Sequence, residues 1–183
     1  MNHDRPFRTL SSRVAWACPW YQVRQDVIRL PDGSEGIYNV VEHPGAVWIV
    51  PVTAEGEVVL LYHYRYTVDD WCWEVPAGGL KAGQLPDEAA RAELAEEIGG
   101  EAAEWRYIGP FYGSNGISNE LGHIYLARGV TLGQPHHEAA EVIEIHRVPV
   151  AEALRMAQAN EISDGPSALA LLLCAPYLQG DGA

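Results

Sequence analysis

Residues 78–100 read GGLKAGQLPDEAARAELAEEIGG, and this stretch decides how the rest of the chain is read. Pro86-Asp87 opens a segment, Glu88 to Ile98, that is dense in Ala, Leu and Glu and stops at Gly99-Gly100. Proline near the start and glycine just past the end are the usual punctuation of a helix. On such a helix Glu93, Glu96 and Glu97 stand at i, i+3 and i+4, so three carboxylates share one face. Like charges at this spacing destabilise an isolated helix, and a solvated acidic face is the plain alternative. Ala77-Gly78-Gly79 shifts the balance, because a flexible loop before the helix can fold a backbone carbonyl toward the carboxylates. Three carboxylates and a carbonyl form a hard oxygen site suited to Mg²⁺ or Mn²⁺, ions that keep waters and bridge to substrate phosphates.

Working outward, the chain up to about residue 70 alternates strand and turn. Val23 to Leu30, Ile37 to Val41, Ala46 to Val52 and Val58 to Tyr64 are β-branched or aromatic runs. Pro31-Asp32-Gly33, His43-Pro44-Gly45 and Glu55-Gly56 separate them. Beyond the carboxylate helix, strands are expected at Trp105 to Tyr112, Gly122 to Ala127 and Val142 to Arg147, then helices at Val150 to Ala159 and Ser167 to Leu178. Strands before, between and after a few helices predict an α/β fold, a mixed-sheet α/β/α sandwich rather than a regular βαβ winding.

The 183 residues suit one compact unit with a small appended segment. Lys+Arg 12 against Asp+Glu 25 leaves a formal net charge of −13. Such a field repels polyphosphate backbones and argues against a nucleic-acid or anionic-membrane partner. Residues 84 to 104 carry seven acids against Arg91 alone, so the acid is concentrated at the helix. A phosphate-bearing ligand there requires a metal or a local arginine. Cys18, Cys72 and Cys174 are too few and scattered for a disulfide framework, which favours a reducing compartment. No apolar run approaches the roughly 18 residues of a membrane span, and a soluble, cytoplasmic protein is expected.

Gly78 to Gly100 resembles the box of the Nudix family, G-x5-E-x7-R-E-U-x-E-E-x-G-U with U aliphatic. Gly78, Glu93, Leu94, Glu96, Glu97 and Gly99 match it; Gln84 stands in place of the first glutamate, Ala92 of the arginine and Gly100 of the last aliphatic residue. Arg91 is one position from the missing arginine, about 100° around the helix, and is expected to point elsewhere. The likeness extends to the flanks. His63-Tyr64-Arg65 followed by Trp73-Glu74-Val75-Pro76-Ala77-Gly78 is similar to the approach to the box in ADP-ribose pyrophosphatases and related nucleoside-diphosphate-sugar hydrolases. Ser114-Asn115-Gly116-Ile117-Ser118-Asn119-Glu120 resembles their S-P-G-x-S-x-E loop, with Asn115 in place of proline. Asp32-Gly33 and its flanking strands resemble the N-terminal segment that such enzymes exchange or pack across a homodimer. The resemblance therefore implies a dimer-forming β segment at 1–44 and a Nudix hydrolase domain at 45–183.

By the same resemblance, Ala77 offers its carbonyl and Glu93 and Glu97 their carboxylates to one or two metals, while Glu96 shares a metal or polarises the water. Arg65 is the candidate phosphate clamp, a surface strand arginine being the alternative. Glu74 accepts a hydrogen bond from base or ribose, or else belongs to a structural ion pair. Glu120 is placed among the substrate-binding residues. Glu138 and Glu141 lie in a loop, Gly133 to Glu141, from which related enzymes draw a general base, and Glu141, nearest the next strand, ranks first. His136 and His137, adjacent in that loop, are expected to do nothing specific. Trp16, Trp20 and Tyr21 either stack on a nucleobase across a dimer or fill the core or subunit interface. The expected reaction is Mg²⁺-dependent cleavage of ADP-ribose or a related nucleoside-diphosphate sugar into a nucleoside monophosphate and a sugar phosphate. Two alternatives stand beside it: a Nudix-fold binding module that lost turnover through Gln84 and Ala92, and a hydrolase of another sugar nucleotide such as GDP-mannose.

Overall fold

The structure, a computed structural model, describes residues 5–178. Its contacts divide into two compact units, one formed by the chain up to residue 44 with 112–121, the other by 45–111 with the chain from 122 onward.

The first unit is an antiparallel sheet of β1 (Arg8–Ala17), β2 (Gln22–Arg29) and β3 (Glu35–Glu42), in that order. β2 and β3 are joined by a turn in which Asp32 Oδ1 accepts from the Ser34 amide at 2.9 Å and Gly33 adopts φ +87°. β1 is absent from the sequence-based expectation. Nearly all of its residues are exposed, so RTLSSRVAWA shows no buried-face alternation; its pairing with β2 holds it extended.

The second unit is built on a seven-stranded sheet. Its strands are β4 (Ala46–Thr53), β5 (Glu57–Arg65), β6 (Asp70–Glu74), β7 (Ala77–Gly79), β8 (Glu104–Tyr112), β9 (Leu121–Val130) and β10 (Ile143–Pro149). The main path runs β10-β5-β4-β9-β8, with β6 added to β5 and β7 to β4. β4 and β9 are parallel, whereas β4–β5, β4–β7, β5–β6 and β5–β10 are antiparallel, so the sheet is mixed as expected. Three helices follow, α1 (Pro86–Ile98), α2 (Val150–Gln158) and α3 (Gly165–Leu178).

Strand alternation divides the core into two layers. Val47 and Ile49 of β4, Val59 and Leu61 of β5, and Tyr125 and Ala127 of β9 pack on Ala89, Ala90, Leu94 and Ile98 of α1. Val50, Val58, Leu60, Ile124 and Leu126 project the other way and pack on α2 and α3 through Ala153, Leu154, Ala170 and Leu171. The result is the α/β/α sandwich that the order of strands and helices predicts. None of the helices in the described residues is long and apolar enough to cross a membrane.

Candidate active site

Helix α1 presents its carboxylates unevenly. Its start is held by Glu88 Oε2, which accepts from the Leu85 amide at 3.2 Å, and its end by Gly99 at φ +61°. Gly99 donates to the Ala95 carbonyl and Gly100 to that of Leu94, the double bond of a Schellman-type cap. The buried face comprises Ala89, Ala90, Leu94, Glu97 and Ile98. Glu97 is therefore on the core side, 5% exposed, while Glu93 is half-buried and Glu96 exposed. The three carboxylates share one side of the helix, and along it their exposure is graded from the core to solvent.

Ala77-Gly78-Gly79, expected to be a flexible loop, is strand β7, paired with Trp48, Val47 and Ala46. From there the Ala77 amide donates to Glu97 Oε2 at 2.9 Å. Gly78 leaves room for the Glu93 carboxylate, which a β-carbon there would push aside. Burial, and then the charges of Glu96 and Glu141, push the Glu93 carboxyl up to about 7, against the opposing pull of Lys81. Glu97 rises well above the usual carboxylate range, first by burial and then by Glu93 and Glu141; the Ala77 amide and Arg65 oppose the rise. Two repelling, desolvated carboxylates beside a glycine cradle fit a divalent cation. Among the described residues no three His, Cys, Asp or Glu side chains close into a metal cage.

Arg65 and Glu74 are brought together on the same sheet face. Arg65 Nε donates to Glu74 Oε1 at 2.8 Å, and a second guanidinium nitrogen binds Oε2. Glu74 is 4% exposed and is held in this ion pair, the second of the two readings its place in the sequence allows. Beside it lies His63, also buried, with Nδ1 3.6 Å from Glu74 Oε2 and without a hydrogen-bond partner among the described residues. Burial, then Arg65, lowers the His63 pKa to about 4; Glu141 pulls it up and His137 lowers it further. His63 was quoted in the sequence without a role. The available signal is strand alternation, which puts it on the face of Leu61 and Arg65.

The loop after β9 is fastened to the end of α1. The Gly133 amide donates to the Ile98 carbonyl at 3.4 Å, the His136 amide to Glu96 at 2.7 Å, and His137 Nε2 to Glu97 at 2.7 Å. This corrects the expectation that the two histidines are idle. Glu138 and Glu141 then close a turn, the Glu141 amide donating to the Glu138 carbonyl at 3.0 Å and the Glu138 amide to Glu141 Oε2 at 2.7 Å. Glu141 is half-buried and its charge acts on Glu93, Glu97 and His63; exposed Glu138 acts on Glu93. Arg91 lies over the Trp105 ring at 4.8 Å and does not replace the arginine absent at Ala92. Gln84 accepts from the Lys81 amide at 3.0 Å and closes its own turn. Glu120 belongs to the N-terminal unit, where its Oε1 is 3.0 Å from His43 Nδ1. In that unit Trp16 and Trp20 are 52% and 71% exposed, so neither fills this chain's core.

A carboxylate helix on the face of a mixed sheet, with a glycine strand and an acidic loop beside it, defines a Nudix-type hydrolase. The chain belongs to this family: the NUDIX domain matches residues 42–168, and the nucleoside diphosphate sugar hydrolase N-terminal domain matches 7–41. It is 38% identical over 164 residues to the ADP-ribose pyrophosphatase of Mycobacterium tuberculosis, covering 87% of this chain and 78% of that protein. It is 32% identical over 154 residues to the ADP-ribose pyrophosphatase of Bacillus subtilis, covering 83% and 81%. The methanol dehydrogenase activator of Bacillus methanolicus is 30% identical over 177 residues, covering 94% and 92%. A crystal structure described as an ADP compounds hydrolase shares the fold with a TM-score of 0.84 at 19% identity, covering 100% of this chain and 99% of that one.

Proposed function

We propose that the chain is a Mg²⁺-dependent pyrophosphatase that hydrolyses the diphosphate linkage of ADP-ribose or a related nucleoside-diphosphate sugar. The products are a nucleoside monophosphate and a sugar phosphate. The observation that carries this reading is the meeting of Glu93 and Glu97 under β7, with Glu141 close enough to raise the pKa of both. The relatives named ADP-ribose pyrophosphatase support the substrate class.

Glu93 and Glu97 would hold Mg²⁺ or Mn²⁺, with Glu96 and the Ala77 carbonyl completing the protein's share. When bound, the ion supplies positive charge that neutralises the diphosphate and makes water a better nucleophile. The water oxygen joins one phosphorus, the bridging P–O bond breaks, and the water's proton passes to a base. Glu141 takes that proton in this reading, with Glu138 the second candidate. Arg65, oriented by Glu74, turns its remaining edge toward phosphate, so Glu74 serves substrate binding indirectly. Residues 1–44 act as a dimer-forming segment and 45–183 as the hydrolase domain. Exposed Val14, Trp16, Trp20 and Ile37 support pairing with a second copy. The cysteines Cys18, Cys72 and Cys174 are free thiols, consistent with a reducing compartment such as the cytoplasm.

Ala92 leaves this helix without the box arginine, which favours binding without turnover as the second reading. Incubating the protein with ADP-ribose, other ADP-sugars and GDP-mannose separates the two. Monophosphate release that needs Mg²⁺ or Mn²⁺ and stops in EDTA is expected. Tight binding without product selects the binding module, and full activity in chelator removes the metal assignment.

A further inference from the structure

The four-residue turn that carries both loop acids is held at its two ends by different elements. After it, the Tyr64 amide of β5 donates to the Val142 carbonyl at 3.1 Å, and β10 continues as an antiparallel partner of β5 through Ile143↔His63. Before it, the chain is held by the end of α1. That anchor has two main-chain bonds, the long one from Gly133 to Ile98 and the short one from His136 to Glu96, and one side-chain bond, His137 to Glu97, which lies nearest the acids. A carbonyl only accepts, so His137 carries its proton on Nε2 and donates. The acceptor lies in the last turn of α1, where carbonyls lack helical partners and a donor is favoured.

Glu97 is thereby gripped twice, its carboxylate by the Ala77 amide and its carbonyl by His137. The bond from His137 joins the residue that would hold the metal to the loop that carries Glu141. With Ala92 in the helix and Arg91 spent on Trp105, no arginine of α1 makes this connection. We infer that His137 is a positioning residue: its imidazole clasps the end of α1 and so sets where Glu141 stands relative to Glu93 and Glu97. This rests on the hydrolase reading for its effect on rate, whereas the clasp itself is independent of activity.

The test uses His137→Ala, which removes the donor, and His137→Gln, whose amide N–H can still reach a carbonyl. Amide hydrogen exchange over residues 133–142 is measured without metal or substrate, alongside kcat and KM for ADP-ribose with Mg²⁺. In His137→Ala, exchange in the loop rises about tenfold and kcat falls about tenfold, the scale of one lost hydrogen bond, while KM stays within about twofold. In His137→Gln most of both effects is recovered. Thermal melting identifies a variant that fails to fold, in which case His137→Gln is compared with the shorter His137→Asn. Unchanged loop exchange in His137→Ala overturns the clasp whatever the activity. Faster exchange with unaltered kcat overturns the positioning role, as does equal loss of kcat in the Ala and Gln variants. If the wild-type protein hydrolyses nothing, the function falls and loop exchange still decides the clasp.

Discussion

Glu97 sits where a carboxylate is costly and a cation would relieve the cost. Its pKa in the folded chain is raised above the ordinary value of 4.5, so the folded state binds the proton more tightly than the unfolded chain. The ionised side chain therefore weakens the metal-free fold increasingly as pH rises from 4.5 through the folded pKa. Glu97→Gln removes that charge yet keeps an oxygen for the Ala77 amide. In EDTA at pH 8 the variant should melt higher than wild type, while its Mg²⁺-dependent hydrolysis falls about 100-fold or more. A lower melting point, or an unchanged rate, contradicts the assignment. Glu141→Gln should lower kcat with little change in KM, and Glu138→Gln should do much less; the reverse ranking makes Glu138 the base. His63 works with the opposite sign. Its folded pKa of about 4 lies below the ordinary histidine value of 6.5, so stability is fully present above pH 6.5 and is lost as pH falls toward 4. Urea midpoints at pH 7.5 and pH 5 should differ more for wild type than for His63→Gln. The carboxylate spacing is legible in the sequence because charge recurs at helical intervals. The burial of Glu97 is not, because Glu97 lies both on the acidic face with Glu93 and Glu96 and on the apolar stripe of Leu94 and Ile98, and only packing on the sheet decides which of the two is covered.

Helix α1 works through its two ends. At its C-terminal end Gly99 adopts φ +61°, and a β-carbon there would overlap the backbone of Gly133 and Gln134. The glycine that closes the box is thus needed for conformation and for the loop's approach. Gly56 provides the comparison, having φ +80° with nothing within 4 Å. Gly56→Ala should cost about 1 to 2 kcal/mol, the strain of a left-handed backbone alone. Gly99→Ala should cost clearly more and also reduce turnover, because the loop must retreat from the helix. Chemical denaturation with assays on both variants checks this; equal costs mean the close approach is relaxed cheaply. α1 was readable from Pro86 and Gly99 because capping is local. β1 was not, since its exposed residues carry no alternation, and β7 was taken for a loop because two glycines suggest flexibility until β4 supplies the pairing.

At the scale of the whole molecule, the N-terminal sheet leaves Trp16, Trp20 and Ile37 at 52%, 71% and 66% exposure. A homodimer would cover such a surface, and sedimentation of the 20.1 kDa chain should report about twice that mass. Trp16→Ser combined with Trp20→Ser should shift the population to monomer and weaken activity. A wild-type monomer with full activity contradicts this use of the sheet. The formal net charge of −13 opposes an anionic substrate, and in the proposed reading Arg65 and a bound cation offset it locally, so chelation should weaken substrate binding as well as turnover.

Composition, strand alternation, the caps of α1 and the spacing of its glutamates determined the α/β/α class and the cluster of acid around it. These features act between residues a few positions apart, so they are complete within the sequence. Tertiary structure alone decided that Glu97 faces inward, that the Arg65 fork is engaged by Glu74, and that His137 holds the end of the helix. The last contact spans 40 positions in the chain. Its geometry depends on how two core layers seat α1 and direct the return from β9 to β10, a path that no local propensity encodes.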